Sequence, residues 1–111
     1  MPEDFVPKPF RCDVAQRDGT THLRPEGDLD MSTVDELERV LDAARAGGAK
    51  RIVVDLRGLS FMDSTGITLL TRYNNAANLD GFDLALVQGH QRIARLFSLT
   101  GLDEYFTFVS G

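Results

Sequence analysis

The sequence predicts one α/β domain spanning residues 1–111, a mixed and mostly parallel β-sheet with helices packed against it. Strand-like and helix-like segments follow one another in the order ββαβαβαβ, and the length is that of a domain with one core. Helical crossovers between strands favour parallel pairing, and an opening hairpin adds an antiparallel pair. Residues 1–9, with three prolines, are expected to form a flexible or extended start.

The predicted hairpin comes first. Apolar and polar residues alternate from Phe10 to Gln16, as a half-buried strand requires. Arg17-Asp18-Gly19 is typical of a hairpin turn, and Thr20 to Glu26 is the expected partner strand. This second strand is the weakest prediction, because Pro25 cannot donate a hydrogen bond to a ladder.

The first helix is predicted from Ser32 onward. Ser32 or Thr33 can cap it, since an acidic residue follows each of them three positions later, as a capping box needs. Gly47-Gly48 is typical of a helix end.

Strands and helices then alternate to the end of the chain. Short continuous apolar runs indicate buried strands, and apolar residues three and four apart indicate helices. The predicted segments are a strand over Arg51–Leu56, a helix from Ile67 to Asp80-Gly81, a strand over Phe82–Val87, a helix over Gln91–Thr100 and a last strand over Tyr105–Val109.

Composition excludes several classes of function. The net charge of -5 has the wrong sign for binding nucleic acid. Cys12 is the only cysteine and cannot form an internal disulfide, which fits a cytoplasmic protein. No apolar run reaches the length of a signal peptide or a membrane span. Without a phosphate-binding glycine loop or a plausible set of metal ligands, we expect no cofactor and no metal site.

The most informative segment is Leu59 to Gly66, which is predicted to form a turn between a buried strand and a helix. Ser64 would lie at the helix N-terminus, where backbone N–H groups and the helix dipole favour negative charge. A serine in this position is suited to carrying a phosphate. From position alone, a simple capping role for Ser64 is the commoner explanation.

Four motifs in order resemble one family. Asp63-Ser64-Thr65-Gly66 is similar to the phosphorylation-site loop of STAS domains, particularly of the anti-sigma factor antagonists. Gly27-Asp28-Leu29-Asp30 resembles the family's Gly-Glu-Leu-Asp, Arg51 to Leu56 its buried strand, and Leu99-Thr100-Gly101-Leu102 the end of its last helix. Together the motifs span nearly the whole chain.

The resemblance implies a non-enzymatic phosphoswitch. It makes Ser64 the phosphate acceptor, with Thr65 as a rival, and it implies an anti-sigma factor with serine kinase activity and a serine phosphatase as partners. Unmodified protein would bind the anti-sigma factor and release the sigma factor, as a monomer or weak dimer without nucleic acid or membrane. The expected partner-binding residues are Asp28, Asp30, Met62, Asp63, Ser64, Thr65 and Gly66.

Two alternatives remain open from the sequence. One is a scaffold or sensory STAS module of a larger signalling assembly. The other is a metal-dependent phosphatase built on Asp28 and Asp30, although such a pair normally follows a buried apolar strand directly, and Arg24-Pro25-Glu26-Gly27 precedes this one.

Overall fold

The computed structural model describes residues 9–111, and residues 1–8 lie outside the described part. The predicted flexible or extended segment 1–9 therefore falls almost wholly outside it. The strands are β1 (Arg11–Arg17), β2 (Thr20–Leu29), β3 (Arg51–Asp55), β4 (Leu59–Met62) and β5 (Asp83–Val87). The helices are α1 (Val34–Ala46), α2 (Ser64–Asp80) and α3 (Gln91–Leu99).

The sheet is mixed and mostly parallel, as the sequence predicts. Its strand order is β1-β2-β3-β5, and β4 also pairs with β2. β1 is antiparallel to β2, whereas β2 with β3, β2 with β4 and β3 with β5 pair in parallel. In the described part of the chain, no helix is both long enough and apolar enough to span a bilayer.

One face of the sheet carries the main core. Strand residues such as Leu23 and Val54 pack there with Leu41 of α1, Leu70 of α2 and Phe97 of α3, all with no exposed surface. The strand residues that alternate with these core residues project from the opposite face of the sheet. On that face a second, smaller cluster contains Val53, Ala85, Val87 and Val109. We call this second face, on which none of the three helices packs, the open face.

β2 is longer and more central than predicted. The expected strand ended at Glu26, but β2 continues to Leu29 and pairs with three other strands. Every second residue of β2 is buried, and this buried face outweighs the polar residues on the other face of the strand. The buried residues are Thr21, Leu23, Pro25, Gly27 and Leu29. Pro25 is tolerated because it lies between the part of β2 that pairs with β3 and the part that pairs with β4.

β3 and β4 form one interrupted strand alongside β2. A short 3-10 turn, Leu56–Gly58, separates them. The Asp55 carboxylate caps this turn by accepting hydrogen bonds from the Arg57 backbone N–H at 3.0 Å and from the Arg57 guanidinium at 2.8 and 3.0 Å. The side-chain bonds from Arg57 hold the pKa of Asp55 below its ordinary value. The sequence predicts only a turn over Leu59 to Gly66, so β4 is not predicted.

β4 contains a β-bulge at Ser60. Leu59 lies opposite Gly27, but the next residue of β2, Asp28, lies opposite Phe61. Because side chains alternate along a strand, one extra residue reverses the facing of those that follow. Phe61 is consequently exposed, and Met62 is buried in the core.

The predicted last strand, Tyr105–Val109, is reduced to a single parallel bridge between Phe108 and Leu86. The Leu86 N–H donates to the Thr107 carbonyl, and the Val109 N–H donates to the Leu86 carbonyl, each at 2.8 Å. The first half of the segment is not extended because Tyr105 closes a turn on Leu102, its N–H donating to the Leu102 carbonyl at 3.1 Å.

Gly66 is where α2 comes closest to the sheet. A Cβ atom at this position would lie 2.8 Å from Met62 Cγ and 2.9 Å from Leu29 Cδ2. We expect Gly66→Leu to lower the free energy of unfolding by about 3 kcal/mol, because the core is already filled there. Urea denaturation measures the change, with Asn78→Ala on the exposed side of the same helix as the control. Equal stability of Gly66→Leu and wild type would contradict the close packing.

Candidate functional site

Ser64 is the first residue of α2, and its side chain is exposed. Asp63 precedes it as the N-cap, and the Asp63 carboxylate accepts hydrogen bonds from the Thr65 backbone N–H at 2.9 Å and from the Thr65 hydroxyl. The capping role considered for Ser64 therefore belongs to Asp63. Within residues 9–111 the Ser64 hydroxyl makes no hydrogen bond, whereas the Thr65 hydroxyl is engaged by its neighbour.

The end of β2 from Asp28, together with the loop of residues 30–33 that joins β2 to α1, is held by its own side chains. The Asp30 carboxylate accepts from the backbone N–H of Ser32 at 2.9 Å and from the Ser32 hydroxyl at 2.7 Å. The Thr33 hydroxyl donates to the Asp28 carbonyl at 2.7 Å and accepts from the Asp30 backbone N–H at 3.0 Å. These bonds fix the path of the chain between β2 and α1.

The predicted capping box at the start of α1 is wrong. Thr33 is the N-cap, but its side chain makes no hydrogen bond into the helix. Its hydroxyl is already bonded to the preceding loop, through Asp28 and Asp30. The side chain thus secures the loop rather than the helix.

Loops at the carboxyl ends of parallel strands face a common crevice, so the sequence predicts that the Asp28 to Ser32 loop and the Met62 to Thr65 loop meet. The structure places the two loops side by side. The last residues of β2 and β4 are in register, with Leu29 opposite Met62. The Asp63 N–H donates to the Leu29 carbonyl at 3.2 Å, which extends the pairing by one residue. The end of β2 and the start of α2 therefore open onto the same edge of the sheet, as expected for the carboxyl ends of parallel strands.

Five of the seven predicted partner-binding residues lie at this edge with side chains exposed or half-buried. We call this surface the acidic edge, and it consists of Asp28, Asp30, Asp63, Ser64 and Thr65. Met62 and Gly66 do not belong to it. Met62 is 5% exposed because the bulge turns it into the core, and Gly66 is buried against Met62 and Leu29. These two residues pack beneath the acidic edge and are too buried to contact a partner protein.

The acidic edge carries uncompensated negative charge. In the described part of the chain, Asp28, Asp30 and Asp63 form no ion pair, although seven ion pairs occur elsewhere. Hydrogen bonds from the Ser32 hydroxyl and N–H lower the pKa of Asp30, because they favour its charged form. Within residues 9–111, no group of three or more His, Cys, Asp or Glu side chains has the arrangement of a metal site.

Sequence reasoning missed one exposed residue at this edge. Phe61 is 42% exposed beside Asp28, and only the bulge at Ser60 places it there. From the sequence, Met31 and Met62 flank the two loops, where a methionine is either an adaptable partner contact or, more commonly, packed in the core. In the structure Met31 is 78% exposed. A bulge has no clear sequence signal, so the short run Leu59 to Met62 is as compatible with a turn as with a strand.

Comparison with known proteins decides the family. The sequence matches the STAS domain family over residues 11–110. The chain belongs to the STAS domain family. The resemblance indicated by the four motifs is thereby confirmed.

Relatives place this STAS domain among the anti-sigma factor antagonists. Proteins named anti-sigma-B factor antagonist from Staphylococcus aureus and Staphylococcus epidermidis are 37% and 41% identical to it over 95 residues, which is 86% of this chain and 88% of each relative. The crystal structure of an anti-sigma factor antagonist from Mycobacterium paratuberculosis is similar, with a TM-score of 0.77 and 26% identity. That match covers 96% of this chain and 92% of the other.

The cap at the start of α2 can be tested directly. Asp63→Ala should destabilise this STAS domain by about 1 kcal/mol, because the Thr65 N–H loses its acceptor. Asp63→Asn keeps an acceptor oxygen and should lose less. Urea denaturation measures both variants, and an equal loss in the two would show that Asp63 does not act as a cap.

The loop bonds of Asp30 predict a pH effect. Ser32→Ala should raise the pKa of Asp30, because the Ser32 hydroxyl is the largest cause of its lowered value. Since the pKa is lowered in the folded state, these bonds stabilise the fold above the ordinary aspartate pKa. That contribution is lost as pH falls through the lowered value.

NMR titration of the Asp30 carboxyl carbon measures this pKa. Ser60→Ala, which alters an exposed serine on β4, is the matched control and should leave the Asp30 titration where it is in wild type. If the pKa of Asp30 is the same in Ser32→Ala as in wild type, the Ser32 hydroxyl is not the cause of its lowered value.

Proposed function

We propose that this STAS domain is an anti-sigma factor antagonist that is switched by phosphorylation of Ser64. With Ser64 unmodified, it binds an anti-sigma factor that is also a serine kinase, and the sigma factor is released. Phosphorylation of Ser64 ends this binding, and a serine phosphatase restores it. The protein acts by binding and is not itself an enzyme.

One observation carries the proposal: the Ser64 hydroxyl is exposed and unbonded within the described residues, directly beside a rigid acidic surface. A kinase needs a reachable hydroxyl, and Ser64 meets this requirement. Thr65 meets it less well, because its side chain is half-buried and its hydroxyl is bonded to Asp63. The relatives named anti-sigma-B factor antagonist support the choice of partner class.

Phosphorylation is expected to act on the interface and leave the fold intact. A phosphate adds a charge of about -1.5 to -2, and the N-terminus of α2 favours negative charge. Ser64 has no packing role that the phosphate would disturb, since its side chain points to solvent. A partner packed over the acidic edge would instead meet extra bulk and a desolvated charge next to three carboxylates. Such a charge costs several kcal/mol by order of magnitude.

The chemistry belongs to the partners. The kinase transfers the γ-phosphoryl group of its own ATP to Ser64 Oγ, the hydroxyl proton passes to a base of the kinase, and ADP leaves. The phosphatase later hydrolyses the ester with water and releases inorganic phosphate. The antagonist contributes an accessible oxygen, and no cofactor of its own takes part.

The remaining expectations belong to the same proposal. A phosphoswitch of this kind works in the cytoplasm, where its kinase finds ATP, as a single domain and as a monomer or weak dimer. Cys12 is the only cysteine of the chain and cannot form an internal disulfide, which is consistent with a reducing compartment.

The acceptor can be identified with the purified anti-sigma factor kinase of the source organism and MgATP. Intact mass spectrometry should show one added phosphate on wild type and none on Ser64→Ala. Thr65→Ala is the matched control and should still gain one phosphate. Phosphate on Ser64→Ala would refute the assignment, and an unmodified wild type would refute the proposed partner class.

A further inference from the structure

Two large apolar side chains are exposed next to the acidic edge. Met31 is 78% exposed, and Phe61 is 42% exposed. Single exposed apolar residues are normal on protein surfaces and need no explanation. These two differ because local structure holds each of them outward, at the edge where a partner is expected.

Phe61 is turned outward by the bulge at Ser60. With regular alternation from the buried Leu59, Phe61 would face the core and Met62 would face solvent. The extra residue reverses this order, so a phenyl ring is exposed where a regular strand would bury it. Phe61 lies opposite Asp28 in a parallel pair, and the side chains of both project from the open face. Bulges that re-aim a side chain are common beside functional sites.

Met31 is held outward by the loop bonds on either side of it. Asp30 is bonded to Ser32 and Thr33, and Thr33 is bonded back to Asp28, so the backbone around Met31 is constrained at both ends. Met31 itself is more than three quarters exposed, so burial contributes little to its position. A side chain on a constrained loop loses less entropy when it is bound than one on a free loop.

We propose that Met31 and Phe61 are the apolar anchors by which the unmodified protein is held, and that they insert into an apolar cleft with a basic rim on the anti-sigma factor. The inference rests on the proposed function and names the contacts that function would use. An apolar centre with a polar rim is the usual anatomy of a protein interface. The three carboxylates of the acidic edge, which form no ion pair within residues 9–111, make the complementary rim basic.

If Met31 and Phe61 are apolar anchors and the acidic edge faces a charged rim, substitutions in the two groups should change different rate constants of binding. Loss of an apolar anchor should raise the dissociation rate at any salt concentration. Loss of a rim charge, as in Asp28→Asn, should lower the association rate, and the difference from wild type should vanish in about 0.5 M salt.

The test is surface plasmon resonance with unphosphorylated protein and, as the probe, the purified anti-sigma factor kinase of the source organism. Phe61→Ala should weaken the equilibrium affinity by about 30-fold and Met31→Ala by about 5-fold, mainly through faster dissociation. Leu79→Ala is the matched control. Leu79 is 85% exposed on the last turn of α2, 15 residues or about 22 Å along the helix from Ser64, and should stay within about 2-fold of wild type.

Urea denaturation of each variant separates binding from folding. Met31→Ala removes a solvent-facing side chain, so it remains informative even if Phe61→Ala lowers stability. Wild-type affinity in both variants would overturn the anchor proposal while leaving the proposed function standing. Absence of any binding by unphosphorylated wild type would instead overturn the proposed function.

Discussion

The pairing of β2 with two successive strands is the constraint on which the site depends. β3 runs beside the first half of β2, the turn capped by Asp55 follows, and β4 runs beside the second half. This arrangement brings the end of β4 level with the end of β2, where the Asp63 N–H bonds to the Leu29 carbonyl. Without the second pairing, α2 would not start beside the loop that carries Asp28 and Asp30.

The same arrangement separates the switch from the core. Leu29, Met62 and Gly66 pack together beneath the surface, and Asp63 secures the first turn of α2. Ser64 takes no part in either, so a charge added to it is expected to leave packing and capping intact. In the proposed switch, a phosphate on Ser64 would therefore act on the contact with another protein. A modification of one residue can then control association without unfolding the domain.

Much of this was predictable from the sequence because it follows from local patterns. The Asp18-Gly19 turn, the three helices and the neighbouring positions of the two loops come from hairpin chemistry, apolar periodicity and strand direction. The length of β2, the bulge at Ser60 and the loop role of Thr33 depend on which strands and side chains lie opposite, and a single sequence does not state these partners. For that reason the sequence counts Met62 among the partner-binding residues and overlooks Phe61.

In the proposed switch, the state of the Ser64 hydroxyl decides whether the antagonist and its anti-sigma factor stay together. Isothermal titration of that anti-sigma factor with unmodified and with fully Ser64-phosphorylated protein tests it most directly. We expect the phosphorylated form to bind at least about 100-fold more weakly, as one unpaired desolvated charge would cause, with both forms equally folded. Equal affinity of the two forms would contradict it.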